Sequence, residues 1–118
     1  MNKTFYITTP IYYVNDIPHI GHAYTTILAD VLSRYQKQIG NDSFFLTGVD
    51  EHGQKVQEAA KKRRVNPLQH CDEMAKRFTS LWQELYISND DFIRTTEQRH
   101  QKVVKKILNI VNDAGDIY

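Results

Sequence analysis

The residues best suited to chemistry fall in three short segments. They are Pro18-His19-Ile20-Gly21-His22, Gly48-Val49-Asp50-Glu51-His52-Gly53 and Thr8-Thr9-Pro10-Ile11-Tyr12-Tyr13-Val14-Asn15. In the first, two imidazoles flank a glycine. Imidazoles donate hydrogen bonds to phosphate oxygens, and a residue without Cβ lets a flat ligand or a phosphate lie against the backbone. If a helix starts here, its first N–H groups and the positive end of its dipole add to an anion site. In the second segment Asp50 is a short carboxylate suited to pairing with an ammonium group. In the third, Tyr12 and Tyr13 could wall an apolar pocket or pack as ordinary core aromatics. Taken singly, each segment also reads as a turn or as packing. His19 and His22 have a spacing a metal could use, but no third ligand lies close by, so no metal site is expected.

These segments need elements to position them. Thr4 to Thr9 is short, β-branched and aromatic and ends at Pro10, which predicts a strand; Ile11 to Pro18 has no sustained period and reads as an ordered loop. From His22 to Ile39, Ala23, Ile27, Leu28, Val31, Leu32, Tyr35 and Ile39 recur at helical spacing, with Gly40 and Asn41 as stop signals. Asp30 and Arg34 form an i,i+4 pair expected on the wetter side. Ser43 to Thr47 reads as a buried strand, Gly48 to Gly53 as a turn and Gln54 to Arg64 as a polar helix. Asn66-Pro67 starts a helix running to about Tyr86, with an inward stripe of Leu68, Cys71, Met74, Ala75, Phe78, Leu81, Trp82 and Leu85. Asp91 to Arg94 is a third strand. Thr96 would cap a helix from Glu97 to about Ala114, buried through Val103, Val104, Ile107, Leu108 and Val111, and Ile117-Tyr118 would open a further extended segment.

Strands alternating with helices imply an α/β fold with a parallel sheet. In such sheets ligands bind at the carboxyl ends of the strands, where the first two chemical segments lie. Three strands are few for a sheet normally covered on both faces. The first strand is therefore expected to be central, with a partner in sequence beyond this chain.

Composition narrows the function classes. The 118 residues are 41% hydrophobic and 25% charged, enough for a modest core. With 15 Lys and Arg against 14 Asp and Glu, the net charge of +1 excludes an obligate polycation or an acidic tail and gives no independent affinity for nucleic acid. Lys61-Lys62-Arg63-Arg64 reads as a solvated helix face. No apolar run reaches the ~20 residues of a membrane span, and none is expected. The start lacks the basic flank and apolar stretch of a signal peptide. The single cysteine, Cys71, cannot form an internal disulfide, so a reducing cytoplasm is expected; on an apolar helix stripe it reads as a packed core thiol.

Together the segments carry a resemblance. TTPIYYVND followed by PHIGHAYTT, then FFLTGVDEHG, DDFIRTTEQRH and AGDIY, closely resemble the N-terminal part of bacterial methionyl-tRNA synthetases. PHIGH matches the HIGH signature of class I aminoacyl-tRNA synthetases. The resemblance extends over essentially the whole chain. It implies the first half of a Rossmann-type parallel sheet with helices packed on it, residues 1–118 forming the N-terminal half of an incomplete catalytic domain. It also implies a two-step reaction, in which methionine and ATP (with Mg2+) give methionyl-adenylate and the adenylate is transferred to tRNA. By position, His19 and His22 would be catalytic and steady the ATP phosphates. Gly21 would lie against the adenine. Asp50 would hold the substrate ammonium, and Ile11 (through its backbone) and Tyr13 would form part of the methionine pocket.

The second βαβ half with its KMSKS loop, the connective domain that often bears zinc, and the anticodon-reading helical bundle have no counterpart in these 118 residues. Contact with tRNA, and any zinc, would therefore belong to other regions, and this chain alone is expected to be inactive. Two other readings compete. One is another HIGH-bearing nucleotidyltransferase or class I synthetase; the other is a binding fragment that retains a fold without activity.

Overall fold

The computed structural model describes residues 3–118. Its elements in chain order are β1 (Thr4–Thr8), β2 (Tyr12–Tyr13), α1 (Ile20–Gln38), β3 (Asp42–Asp50), α2 (Gln54–Arg63), α3 (Pro67–Glu84), β4 (Asp91–Arg94) and α4 (Gln98–Asp113). All strand pairs are parallel. β1 lies along the first half of β3, with Thr4 opposite Asp42 and Thr8 opposite Leu46. β2 resumes along the same edge, with Tyr12 opposite Val49 and Tyr13 opposite Asp50. Pro10 has no N–H to give to the ladder, so the edge breaks there and re-forms two residues later. The Thr9 N–H to Leu46 carbonyl bond (3.2 Å) and the Thr9–Thr47 hydroxyl pair (2.7 Å) hold the near side of the break.

β4 pairs the other edge of β3, with Leu46 opposite Asp91 and Val49 opposite Arg94. Hence β3 is flanked on both edges, while β1 is paired on one edge only among the described residues. The β3 ladder continues through Gly48 to Asp50, where the sequence pattern suggested a turn. Gly48 makes the close pairing possible. A Cβ there would stand 2.1 Å from the Ile93 carbonyl oxygen.

Over residues 43–47 β3 alternates rather than burying a continuous run. Ser43, Phe45, Thr47 and Val49 are buried, whereas Phe44 is exposed and stacks on Tyr6 of β1 on the open face (centroids 6.0 Å apart). The covered face packs Tyr12, Val14 and Val49 against Val56 of α2 and Cys71, Met74, Ala75, Phe78 and Trp82 of α3. Asn66 caps α3 by accepting the Leu68 N–H (2.9 Å), and Pro67 follows in the first turn. The expected α3 stripe holds in its middle, but Leu68 and Leu85 at its ends are exposed.

Two helices depart from their expected faces. α1 packs against β3 and β1 through Ala23, Thr26, Ala29, Asp30 and Ser33. These small side chains permit close approach, and the Ser33 hydroxyl meets that of Ser43 (2.9 Å). The larger apolar stripe of Ile27, Leu28, Val31, Leu32 and Tyr35 is exposed instead. Asp30 is buried rather than wet, because it accepts the Ser88 N–H (2.7 Å) and hydroxyl (2.6 Å) as well as the Arg34 guanidinium. α4 buries no residue at all: Val103, Val104, Ile107 and Leu108 are exposed and Val111 is only half-buried. Its amphipathic pattern is real, but no described element packs on it. Its N-cap is Glu97, one residue later than expected, and residues 117–118 form no strand.

Candidate functional site

The first turn of α1 is built by its own histidines. His19 is the N-cap in an extended conformation, and its Nδ1 accepts the Gly21 N–H (3.1 Å). In return His22 Nδ1 accepts the His19 N–H (3.1 Å). This is a capping box made by two imidazoles in place of the usual hydroxyl and carboxyl. The rings stack with centroids 3.8 Å apart. Gly21 is required by this arrangement, since a Cβ on it would stand 2.9 Å from His19 Cε1. The space beside Gly21 is thus occupied by the His19 ring.

The box fixes chemistry as well as geometry. A neutral imidazole whose Nδ1 accepts a hydrogen bond carries its proton on Nε2. Both rings therefore present Nε2–H donors away from the backbone. One N–H group expected to be free at the helix start, that of Gly21, is taken by His19; the side chains supply donors in its place. His22 packs edge-on against Tyr12 (4.7 Å) and Phe78 (5.2 Å). Burial against these rings, and then the neighbouring His19, hold its pKa below the ordinary imidazole value. The Tyr12 hydroxyl bonds that of Thr26 (3.0 Å) and ties β2 to the same helix.

A cleft of about 390 Å3 opens at this point, lined among others by Ile11, Tyr12, Tyr13, Asp16, His19 and His22. A neighbouring cleft of about 430 Å3 is lined by Tyr13, His52, Gly53, Gln54, Lys55 and Glu58, so the Tyr13 ring borders both. The structure therefore brings Ile11, Tyr13, His19 and His22 together around one cavity. Asp50 is beside Tyr13 in strand register but does not line that cavity, and Gly21 lies beneath the His19 ring.

Asp50 sits at the carboxyl end of β3 in a hydrogen-bonded corner. Its Oδ1 accepts the His52 N–H (3.1 Å) and faces the Thr95 hydroxyl (3.4 Å). Next to it Glu51 is buried, accepting from Arg94 Nε (2.8 Å) and from the Thr96 hydroxyl, while Arg94 also reaches Asp72 (2.6 Å). This ion-pair cluster clamps β3, β4 and α3 together. His70, fully buried, donates from Nε2 to the Val14 carbonyl (2.7 Å) and accepts from Arg63 at Nδ1 (2.8 Å), which fixes the chain just beyond Tyr13. Arg63 also pairs with Glu73, so one member of the basic cluster serves α3 rather than solvent.

The sequence pattern assigns no role to Thr95, Glu51 or His70. A threonine pair directly after a parallel strand was the available signal for Thr95, since strand carboxyl ends are where such sheets bind ligands. Cys71 is buried, with its thiol pushed up to about 11 by burial and then by Glu51, which makes it a core thiol rather than a nucleophile. Among the described residues no helix is long and apolar enough to cross a membrane.

Comparison with known proteins gives one family. The family described as "tRNA synthetases class I (M)" matches residues 5–118. The methionine–tRNA ligase of Fusobacterium nucleatum is 58% identical over 118 residues, spanning 100% of this chain and 19% of that protein. That of Thermotoga maritima is 56% identical over 114 residues, or 97% and 18%. The solved structure of Mycobacterium tuberculosis methionyl-tRNA synthetase in complex with methionyl-adenylate superposes with a TM-score of 0.96 at 40% identity, covering 98% of this chain and 23% of that one. The chain thus spans about a fifth of the length of the relatives it matches. On its motifs, its parallel sheet and these matches, the chain belongs to the class I tRNA synthetases of the methionyl type and corresponds to the N-terminal part of their Rossmann-type catalytic domain.

Proposed function

We propose that residues 1–118 supply the nucleotide-phosphate and amino-acid grips of a methionine–tRNA ligase, as the N-terminal half of its catalytic domain. The observation that carries this reading is the stacked His19–His22 pair at the start of α1, with both Nε2–H donors free of the backbone at a cleft bordered by Ile11 and Tyr13.

The methionine carboxylate attacks the α-phosphate of ATP, pyrophosphate leaves, and the adenylate then passes to the terminal ribose of tRNA. His19 and His22 donate to phosphate oxygens as negative charge builds in the transition state. Because their rings are already locked by the capping box, no reorganisation is needed at that moment. Gly21, whose missing Cβ leaves room for the His19 ring, is at the turn against which the adenine lies. Asp50 accepts from the substrate ammonium, and Tyr13, which lines both clefts, forms part of the methionine pocket together with the Ile11 backbone. Mg2+ enters with ATP as part of the substrate. Contact with tRNA, and any zinc, belongs to regions outside this chain. A single buried thiol suits a reducing cytoplasm.

The test is methionine-dependent ATP–pyrophosphate exchange in a ligase of full family length carrying this segment. Replacing His19 or His22 by Ala is expected to lower kcat by about 10²-fold or more, as loss of a positioned donor does elsewhere. Asp50→Asn is expected to raise the KM for methionine with little change in that for ATP. Unchanged exchange in both histidine variants would refute the reading. The 118 residues alone are expected to show no exchange.

A further inference from the structure

The corner that holds Asp50 contains one hydroxyl on which three groups converge. Thr95 is buried at the carboxyl end of β4. Its Oγ1 lies 2.9 Å from the Glu51 N–H, 3.0 Å from His52 Nδ1 and 3.4 Å from Asp50 Oδ1. A hydroxyl has one hydrogen and two lone pairs. The backbone N–H of Glu51 can only donate, so it takes one lone pair. The hydrogen must then go either to Asp50 or to His52. The Asp50 contact is the longer of the two, but an ionised carboxylate can only accept, whereas an imidazole nitrogen can also donate. All three contacts are hydrogen bonds only if the hydrogen points to Asp50. The second lone pair is left for His52, which must donate from Nδ1.

The hydroxyl is held where it is by its neighbours. The Thr95 N–H bonds the Val49 carbonyl (3.3 Å), while Arg94 before it and Thr96 after it both grip the buried Glu51 carboxylate. The chain is therefore anchored on either side of Thr95 before the hydroxyl makes any bond to the site.

We propose that Thr95 is a positioning residue for the amino-acid grip: its hydroxyl orients the Asp50 carboxylate and holds the His52 ring as the Nδ1–H tautomer. His52 is thereby opposite in sense to His19 and His22. They present N–H donors, suited to phosphate, whereas an Nδ1–H tautomer leaves His52, which lines a cleft with Tyr13, with a bare Nε2 acceptor. The two ends of the substrate pair thus meet groups of opposite polarity, with acceptors for the ammonium and donors for the phosphates. This inference rests on the reading of Asp50 as the ammonium acceptor.

Thr95→Val keeps the shape and removes the hydroxyl; Thr95→Ser keeps the hydroxyl. In a ligase of full family length carrying this segment, Thr95→Val is expected to raise the KM for methionine about tenfold and leave that for ATP within about twofold, with Thr95→Ser restoring both. In an Asp50→Asn background, Thr95→Val should add nothing further, because the two act through one group. Equal rises in both KM values, no rescue by Ser, or full additivity with Asp50→Asn would overturn the proposal. If Asp50→Asn by itself leaves the methionine KM unchanged, the ammonium reading falls and this inference with it. If Asp50→Asn raises the KM but Thr95→Val does not, only this inference falls. Should Thr95→Val fail to fold, nitrogen NMR of the unmodified protein decides: an Nε2–H tautomer at His52 would overturn the proposal, and Nδ1–H supports it.

Discussion

His22 uses one nitrogen to close the helix cap, Nδ1, which leaves Nε2–H free of it on a residue that lines the cleft. A second proton would have to sit on Nδ1, directly opposite the His19 N–H, and would break the cap. Burial against Tyr12 and Phe78, followed by the charge of His19, disfavours that proton in any case. The folded pKa therefore lies below the ordinary value of about 6.5, and the unfolded chain binds the proton first. The stability His22 contributes is complete above that ordinary value and is lost as pH falls through the depressed folded value. Proton NMR of the histidines should place the His22 midpoint below 6.5; a midpoint at or above it would contradict the capping geometry. At this scale the residue types were readable from sequence, since two imidazoles about a glycine already suggested an anion site. The capping box was not, because nothing in a one-dimensional pattern says that a histidine will close a helix rather than point away from it.

Elements were legible where periodicity and punctuation agreed. α3, with Asn66-Pro67 at its start and a dense apolar stripe, lies close to its expected bounds. β3 was harder, because Gly48 looks like turn punctuation and in fact serves a close strand pairing. Replacing Gly48 by Ala would force a Cβ into the Ile93 carbonyl, so β4 must move away from β3. We expect urea unfolding of this chain to show a loss of about 1–3 kcal/mol, in the range of overpacked cores. The shift would also disturb Thr95, which hangs from the same strand end. α1 misled for a different reason. Its large apolar side chains mark one face and its small ones another, and the small face is what approaches the sheet. Periodicity measures hydrophobicity, but close helix–sheet contact selects for size.

At the scale of the whole molecule, one face of the sheet is covered and much apolar surface is bare. Val31 is 55% exposed on α1 and Ile107 54% on α4, with Tyr6 and Phe44 on the open side of β1 and β3. Large apolar side chains left bare on α1, on α4 and on the open sheet face are the kind of surface through which proteins associate. The isolated 118-residue chain is therefore expected to bind a hydrophobic dye and to sediment with a concentration-dependent mass. Ideal monomer behaviour at every concentration, without dye binding, would contradict the exposure of these faces.

Local chemistry is what the sequence by itself determined. Two imidazoles about a glycine, a short carboxylate after a strand and the alternation of strand and helix depend on residue type and spacing over a few positions. Tertiary structure decided everything that depends on distant partners. It flanked β3 on both edges and paired Thr95 with Asp50, 45 positions away in the chain. It also set His70 under the Val14 carbonyl, 56 positions away, and left the α4 stripe uncovered. The physical reason is the same throughout. A hydrogen-bonding group or an apolar stripe advertises a need in the sequence, but which group meets that need is settled only when the chain folds and the nearest competent partner arrives.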